Sequence, residues 1–197
     1  MSEAELRPVN MLFMSYLEQQ FLIAMPGMDD PNFNRGVTLL CQHNDEGALG
    51  ITVNRPSEFV LQDLLGQVGL QCADVSLADL PVYDGGPVHR ERGFVLHSPD
   101  RRSESSMTVG EQIVITTSRD VLEDIASGTG PARFLVALGY AGWGAGQLEN
   151  EMRDNAWLHV MADSDLIFDL PVEQRWEGAV ARLGIEVGRL QPSGGHA

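Results

Sequence analysis

Four glycines within eight positions, Gly139, Gly142, Gly144 and Gly146, follow an apolar run that starts at Phe134 and precede a short polar segment that ends at Asn155. No other stretch constrains the chain so tightly. Phe134 to Tyr140 is short, apolar and bounded by Pro131 and the glycines, which is the pattern of a buried strand. The glycines call for a sharp turn, a close approach to another element or positive φ. From Gln147 to Asp154, Leu148 and Met152 form an inward stripe at i, i+4, with Glu149 and Arg153 paired at the same spacing on the flank. Strand, tight turn and helix are expected in that order.

The rest of the chain reads as short elements around this stretch. Phe21 to Met25 is a strand stopped by Pro26 and Gly27, and Met28 to Arg35 has loop composition. Val37 to His43 and Ala48 to Asn54 pair as a hairpin across a turn at Asn44 to Gly47. Ser57 is an expected N-cap for a helix carrying Leu61, Leu64, Leu65 and Val68, followed by an irregular surface segment to Leu80. Val82 to Asp84, Phe94 to His97 and Gln112 to Thr117 are expected strands, the last two separated by a polar loop rich in serine and arginine. Ser118 opens a helix that Gly128 stops, Trp157 to Met161 is a strand, and Val172 to Leu183 is an amphipathic helix. Met11 to Leu17 is read as a short helix. Residues 1–10 are read as a flexible lead and 191–197 as a flexible tail, around one globular domain at 11–190. Strands outnumber helices and several join through hairpins, so the expected class is α+β with a mixed sheet.

Charge and composition narrow the function. The formal net charge of −15 opposes a nonspecific electrostatic hold on nucleic acid, so direct nucleic-acid binding is not expected. Arg90, Arg92, Arg101 and Arg102 form a local exception, read as a solvated hairpin rim or as a phosphate or partner site. All thirteen basic residues are arginine, which removes P-loop and Schiff-base chemistry. Two cysteines make no disulfide framework, and the apolar Met11–Met25 stretch is broken by Glu18, Gln19 and Gln20. A cytoplasmic protein with no membrane segment is the expectation.

GYAGWGAGQLENE followed by NAWL resembles the signature of the AlgH/YqgE family of bacterial proteins. Phe21 to Pro56, Tyr83 to Val88 (YDGGPV) and Arg92 to His97 (RGFVLH) agree in order and spacing, so the resemblance covers about Phe21 to Leu183. It implies a compact mixed α/β fold whose bent sheet approaches a pseudo-barrel under several short helices. It implies no agreed reaction. The family's name comes from a genetic link to transcriptional regulation.

Three constellations are candidates for chemistry. Cys41 and His43, at i and i+2 on an expected strand, would share a face; they are either a small buried cysteine with a hydrogen-bonded histidine or a redox-sensitive thiolate pair. The glycine turn imitates a dinucleotide layout, but the position that needs its third glycine is Gln147. Segments of the family signature supply a polar pocket for a ligand or partner: Asn54, Arg55, Gly85, Gly86, Trp143, Glu149 and Asn155. No GxSxG elbow or HExxH motif occurs, and neither a cofactor nor a metal site is expected. The reading is a non-enzymatic binding or regulatory protein acting through an unknown protein partner or small ligand, an indirect regulator of transcription. The alternative is a redox-sensing or nucleotide-dependent enzyme at Cys41 and His43 or at the Gly142–Gly146 turn.

Overall fold

Burial is continuous along Phe21 to Ala24 and Val37 to Leu40, so these strands bury both faces, which places them in the middle of a covered sheet. The computed structural model describes residues 16–103 and 105–190. The lead at 1–10, the tail at 191–197 and most of the Met11–Leu17 helix read from the sequence lie outside the described residues.

Among the described residues ten strands form the sheet: Gln20–Ala24 (β1), Val37–Asn44 (β2), Gly47–Thr52 (β3), Pro56–Val60 (β4), Pro81–Asp84 (β5), Val88–His97 (β6), Ser106–Val109 (β7), Ile113–Thr116 (β8), Phe134–Gly144 (β9) and Trp157–Met161 (β10). The helices are Leu61–Gln67 (α1), Val75–Ala78 (α2), Arg119–Ser127 (α3), Gln147–Arg153 (α4), Ser164–Phe168 (α5) and Arg175–Arg182 (α6), with 3-10 turns at Val172–Gln174 and Val187–Arg189. The main path runs β10-β1-β2-β3-β9-β6-β8-β7, every neighbour antiparallel, while β5 joins β9 in parallel and carries β4 on its other edge. The fold is a mixed α+β one, with the sheet curled strongly into a half-barrel. Its two ends approach one another where the Ser164 hydroxyl, just past β10, donates to Gln112 Oε1 in the β7–β8 turn.

Three apolar clusters follow from the curl. The concave side holds Phe21, Ile23, Leu39, Ile51, Leu96, Ile115 and Leu135, closed by Leu166 and Ile167 of α5 and Trp176, Ala179 and Val180 of α6. On the convex side, α4 covers Leu22, Ala24, Leu40, Ala141, Trp143 and Trp157 through Leu148. Further along that side, α1 and α3 cover Val82, Val95 and Val136.

The glycine-rich stretch is the point where the sheet forks. One edge of β9 pairs with β5 from Val136 to Leu138, then with β3 from Ala141 to Gly144. Gly139, at φ +74°, makes the change of neighbour between them. A Cβ there would lie 2.4 Å from the Gly86 carbonyl oxygen, and a Cβ on Gly86, at φ +153°, would lie 2.1 Å from the Tyr140 carbonyl carbon. Gly85 stitches the fork: its N–H donates to Leu138 O and its carbonyl accepts from Thr52 N–H. The YDGGPV and GYAGWG segments are thus two sides of one joint.

Several local expectations differ from the structure. β9 runs through Gly142 to Gly144, because backbone pairing with β3 extends the strand where composition indicated a turn. Ser57 lies in β4 and donates to Val82 O; the N-cap of α1 is Val60, whose N–H is held by Asp63 Oδ2. Strand β7 lies in the serine-rich segment read as loop, and α5, capped by Asp163, precedes the last helix. Arg153 donates to Asn150 Oδ1 instead of pairing with Glu149.

Candidate functional site

Between β1 and β2 the chain leaves the sheet as a loop, Met25 to Gly36, that is folded by four hydrogen bonds of its own backbone. Met28 N–H donates to Met25 O, Phe33 and Asn34 N–H to Asp30 O, and Gly36 N–H to Phe33 O. From one side Arg55 reaches the loop, its guanidinium donating to Pro31 O and, at 2.9 Å, to Asn34 O. Asn54 Nδ2 donates to Arg35 O at 2.8 Å while its Oδ1 accepts from Val37 N–H at 2.7 Å. On the other side Phe33 packs against Trp143 and Trp157, with ring centroids 6.1 and 5.4 Å apart, and the two indoles meet edge to face at 6.0 Å. Both indole N–H groups donate to one oxygen, Glu151 Oε2, at 2.9 and 2.8 Å. The loop is braced at both ends and its middle, yet Gly27, Asp29, Asp30, Pro31, Asn34 and Arg35 are exposed.

The seven pocket residues read from the sequence therefore divide in two. Asn54, Arg55, Gly85 and Gly86 stand together at the end of β3 and the start of the fork, linked by Asp84 N–H to Arg55 O and Thr52 N–H to Gly85 O. Trp143, Glu149 and Asn155 gather around α4. Asn54 and Arg55 from one group and Trp143 and Asn155 from the other adjoin loop Met25–Gly36, while Gly85 and Gly86 belong to the joint with β9 and Glu149 bonds His43. Asn155, exposed at φ +55°, turns the chain from α4 into β10 and lines a groove with Met25, Gly27, Met28, Asp154, Ala156 and Leu190. Phe33, Trp157 and Glu151 complete the arrangement. Two acids, Glu149 and Glu151, lie within eight residues of both Trp143 and Trp157, so the sequence does not say which of them serves the indoles.

Cys41 and His43 do not share a face. A bulge between Leu40 and Gln42 inserts one residue into β2, which reverses the side-chain alternation beyond it. Cys41 packs in the concave core, whereas His43 lies opposite Ala48 on the convex side. Burial pushes the Cys41 thiol up to about 12, against a weaker opposing hydrogen bond from the Ile51 backbone, and its S–H points to Leu39 O. That is the environment of an inert structural cysteine. His43 accepts at Nδ1 from Leu17 N–H, so Nε2 carries the proton and donates to Glu149 Oε1, both at 2.9 Å. Burial alone would raise the Glu149 carboxyl, but hydrogen bonds from its own backbone and from His43 hold it below the ordinary range.

The turn before α4 has little to offer a phosphate. Gly144 N–H is already bonded to Gln147 Oε1 at 3.0 Å, Gly139 and Gly142 lie within β9, and α4 has seven residues. Among the described residues no group of three or more His, Cys, Asp or Glu side chains is placed to hold a metal ion. Arg90, Arg92, Arg101 and Arg102 are all exposed, on β6 and the segment after it.

Comparison with known proteins places this geometry in a family. A family model described as AlgH-like matches residues 21–188. The chain belongs to the AlgH-like family. A UPF0301 protein of Thioalkalivibrio sulfidiphilus is 52% identical over 183 residues, covering 93% of this AlgH-like chain and 98% of that one. Another, from Methylococcus capsulatus, is 50% identical over 181 residues, covering 92% and 96%. The solution structure of the AlgH protein from Pseudomonas aeruginosa matches over 100% of both chains with a TM-score of 0.76 and 45% identity. The crystal structure of DIP2367 from Corynebacterium diphtheriae, 18% identical, covers 89% of this chain and 92% of that chain with a TM-score of 0.72, so the AlgH-like architecture persists at low identity. Among the described residues of this AlgH-like chain, no helix is long and apolar enough to cross a membrane.

Proposed function

We propose that the chain is a non-enzymatic, cytoplasmic binding protein that presents the Met25–Gly36 loop and the adjoining α4 helix to a protein partner or small ligand. Any influence on transcription passes through that partner, because a chain of net charge −15 repels the nucleic-acid backbone. The observation that carries this reading is a polar loop with six exposed residues whose carbonyls and aromatic anchor are gripped by Asn54, Arg55, Trp143 and Trp157. A loop held in one conformation by a rigid scaffold is what recognition requires, since little ordering entropy remains to be lost on binding. The buried, protonated Cys41 and the occupied Gly144 amide before α4 favour this reading over a redox or nucleotide-dependent enzyme.

The test places a photo-crosslinking residue at Asn34 or Asn155, and in a control at Val75, which is 81% exposed on α2 away from the loop. In bacterial cells the two loop-face positions should each yield the same discrete adduct, and Val75 none. Equal adducts from all three positions, or none from the loop face, would end the proposal.

A further inference from the structure

A buried arginine with no acidic partner among the described residues lies beside a cavity remote from loop Met25–Gly36. Arg175, the first residue of α6, is 6% exposed. Its Nε donates to Leu170 O at 3.1 Å and Nη1 to Val53 O, and its Cζ stands 5.1 Å from the centre of the Tyr83 ring. None of the ion pairs among the described residues includes it. Carbonyl dipoles and a ring face partly replace lost hydration, but they do not neutralise a charge. Burial pulls the guanidinium below its usual value, and Tyr83 and, more weakly, Glu173 act in the other direction. Nη2 is left for Tyr83 and for the cavity that both residues line.

That cavity has a volume of about 140 Å³. Apart from Arg175 and Tyr83 its lining side chains are apolar, Leu61, Phe134, Val136, Ile167 and Phe168 among them, with polar surface making up nearly half of the wall, and it reaches the surface at Leu80 and Pro81, both exposed. The size is close to the ~150 Å³ at which an apolar protein cavity accepts benzene. We propose that this cavity binds a small organic monocarboxylate, its single-ring or short branched body against the apolar side chains and its carboxylate on Arg175 beside Tyr83. A planar guanidinium matches a carboxylate in shape and charge, and burial strengthens such a hydrogen-bonded pair. A phosphate fits less well: Arg175 is the only cation among the described lining residues, the remaining lining side chains except Tyr83 are apolar, and the molecule as a whole is strongly acidic.

Methyl NMR of the full chain, titrated separately with sodium benzoate, benzyl alcohol and inorganic phosphate at constant ionic strength, tests this. Benzoate should shift the Leu61, Val136 and Ile167 methyls saturably below about 10 mM, and benzyl alcohol should bind at least about tenfold more weakly. Arg175 also holds two carbonyls, so its replacement threatens folding; Leu80→Glu, at the exposed rim, sets a negative charge at the mouth instead. That variant should keep the spectrum of the remaining core and weaken benzoate at least about tenfold. The proposal is overturned by no shift at these methyls, by equal binding of benzyl alcohol, by the same shifts with phosphate alone, or by unchanged benzoate affinity in Leu80→Glu.

Discussion

Cys41 and His43 sit two positions apart and are chemically unconnected, because the bulge in β2 turns one toward the concave core and the other toward α4. With its thiol pushed up to about 12, Cys41 stays protonated at neutral pH. A maleimide should modify only Cys72 in the native protein, as read by mass spectrometry, with Cys41 reacting after denaturation; modification of both at similar rates would contradict the burial described. His97 gives a pH prediction. It is 1% exposed, and its Nδ1–H donates to Ser98 O while Nε2 accepts from the Thr116 hydroxyl, each at 2.8 Å. Burial lowers its pKa, although the Ser98 carbonyl and Asp100 favour the charge and Arg102 opposes it. A proton is therefore bound more tightly by the unfolded chain, so this contribution to stability is intact above the unfolded value of about 6.5 and is lost as pH falls through the lower folded value. Urea midpoints should be flat from about pH 8 to 7 and fall below about 6.5, with the upper part of the fall absent in His97→Gln. A wild-type midpoint unchanged down to about pH 5 would contradict the assignment.

At the scale of elements, short pieces are fixed by polar side chains that reach across to backbone from elsewhere. Arg55 is the example for the loop: removing it leaves the Pro31 and Asn34 carbonyls to water, and Arg55→Ala should cost about 1–3 kcal/mol in urea unfolding. Glu151 does the same for α4, since one carboxylate oxygen serves two indoles. Glu151→Ala should cost about 2–3 kcal/mol and shift the tryptophan emission, whereas Glu151→Gln keeps an acceptor and should lose less. Unchanged emission in Glu151→Ala would show that the indoles do not depend on that carboxylate. The same mechanism limits what a sequence reveals. The α4 helix was legible from Leu148 and Met152, and β10 from Trp157 to Met161, because periodicity reports burial directly. Ser57 misleads because a serine four residues before an apolar stripe has the look of a cap, while pairing of β4 with β5 is a long-range fact. Arg175 is hidden in the sequence for a related reason: a charge on an amphipathic helix has the pattern of a solvent-facing residue, and only the tertiary structure turns it inward.

Over the whole molecule, the class and the family were readable because Phe21–Pro56, YDGGPV and the glycine-rich stretch each had a local signature. What was hidden is that the last two are halves of one joint, with Gly85 and Gly86 filling the space that Gly139 leaves. Gly86→Ala should cost more than about 3 kcal/mol or abolish soluble folding, since the new methyl would overlap the Tyr140 backbone, and an ordinary urea midpoint would refute the close approach. The seven candidate site residues were legible as positions in signature segments, but that Asn54 and Arg55 hold a loop from one side and Trp143 from the other needs the distances. Loop rigidity is the claim on which the binding reading stands, and hydrogen exchange of the wild-type protein measures it most directly. The Met28, Phe33, Asn34 and Gly36 amides, all bonded within the loop, should exchange at least about a hundredfold more slowly than in a free peptide. Exchange at the free-peptide rate would mean that the loop is not held, and the account of a preformed recognition surface would be wrong.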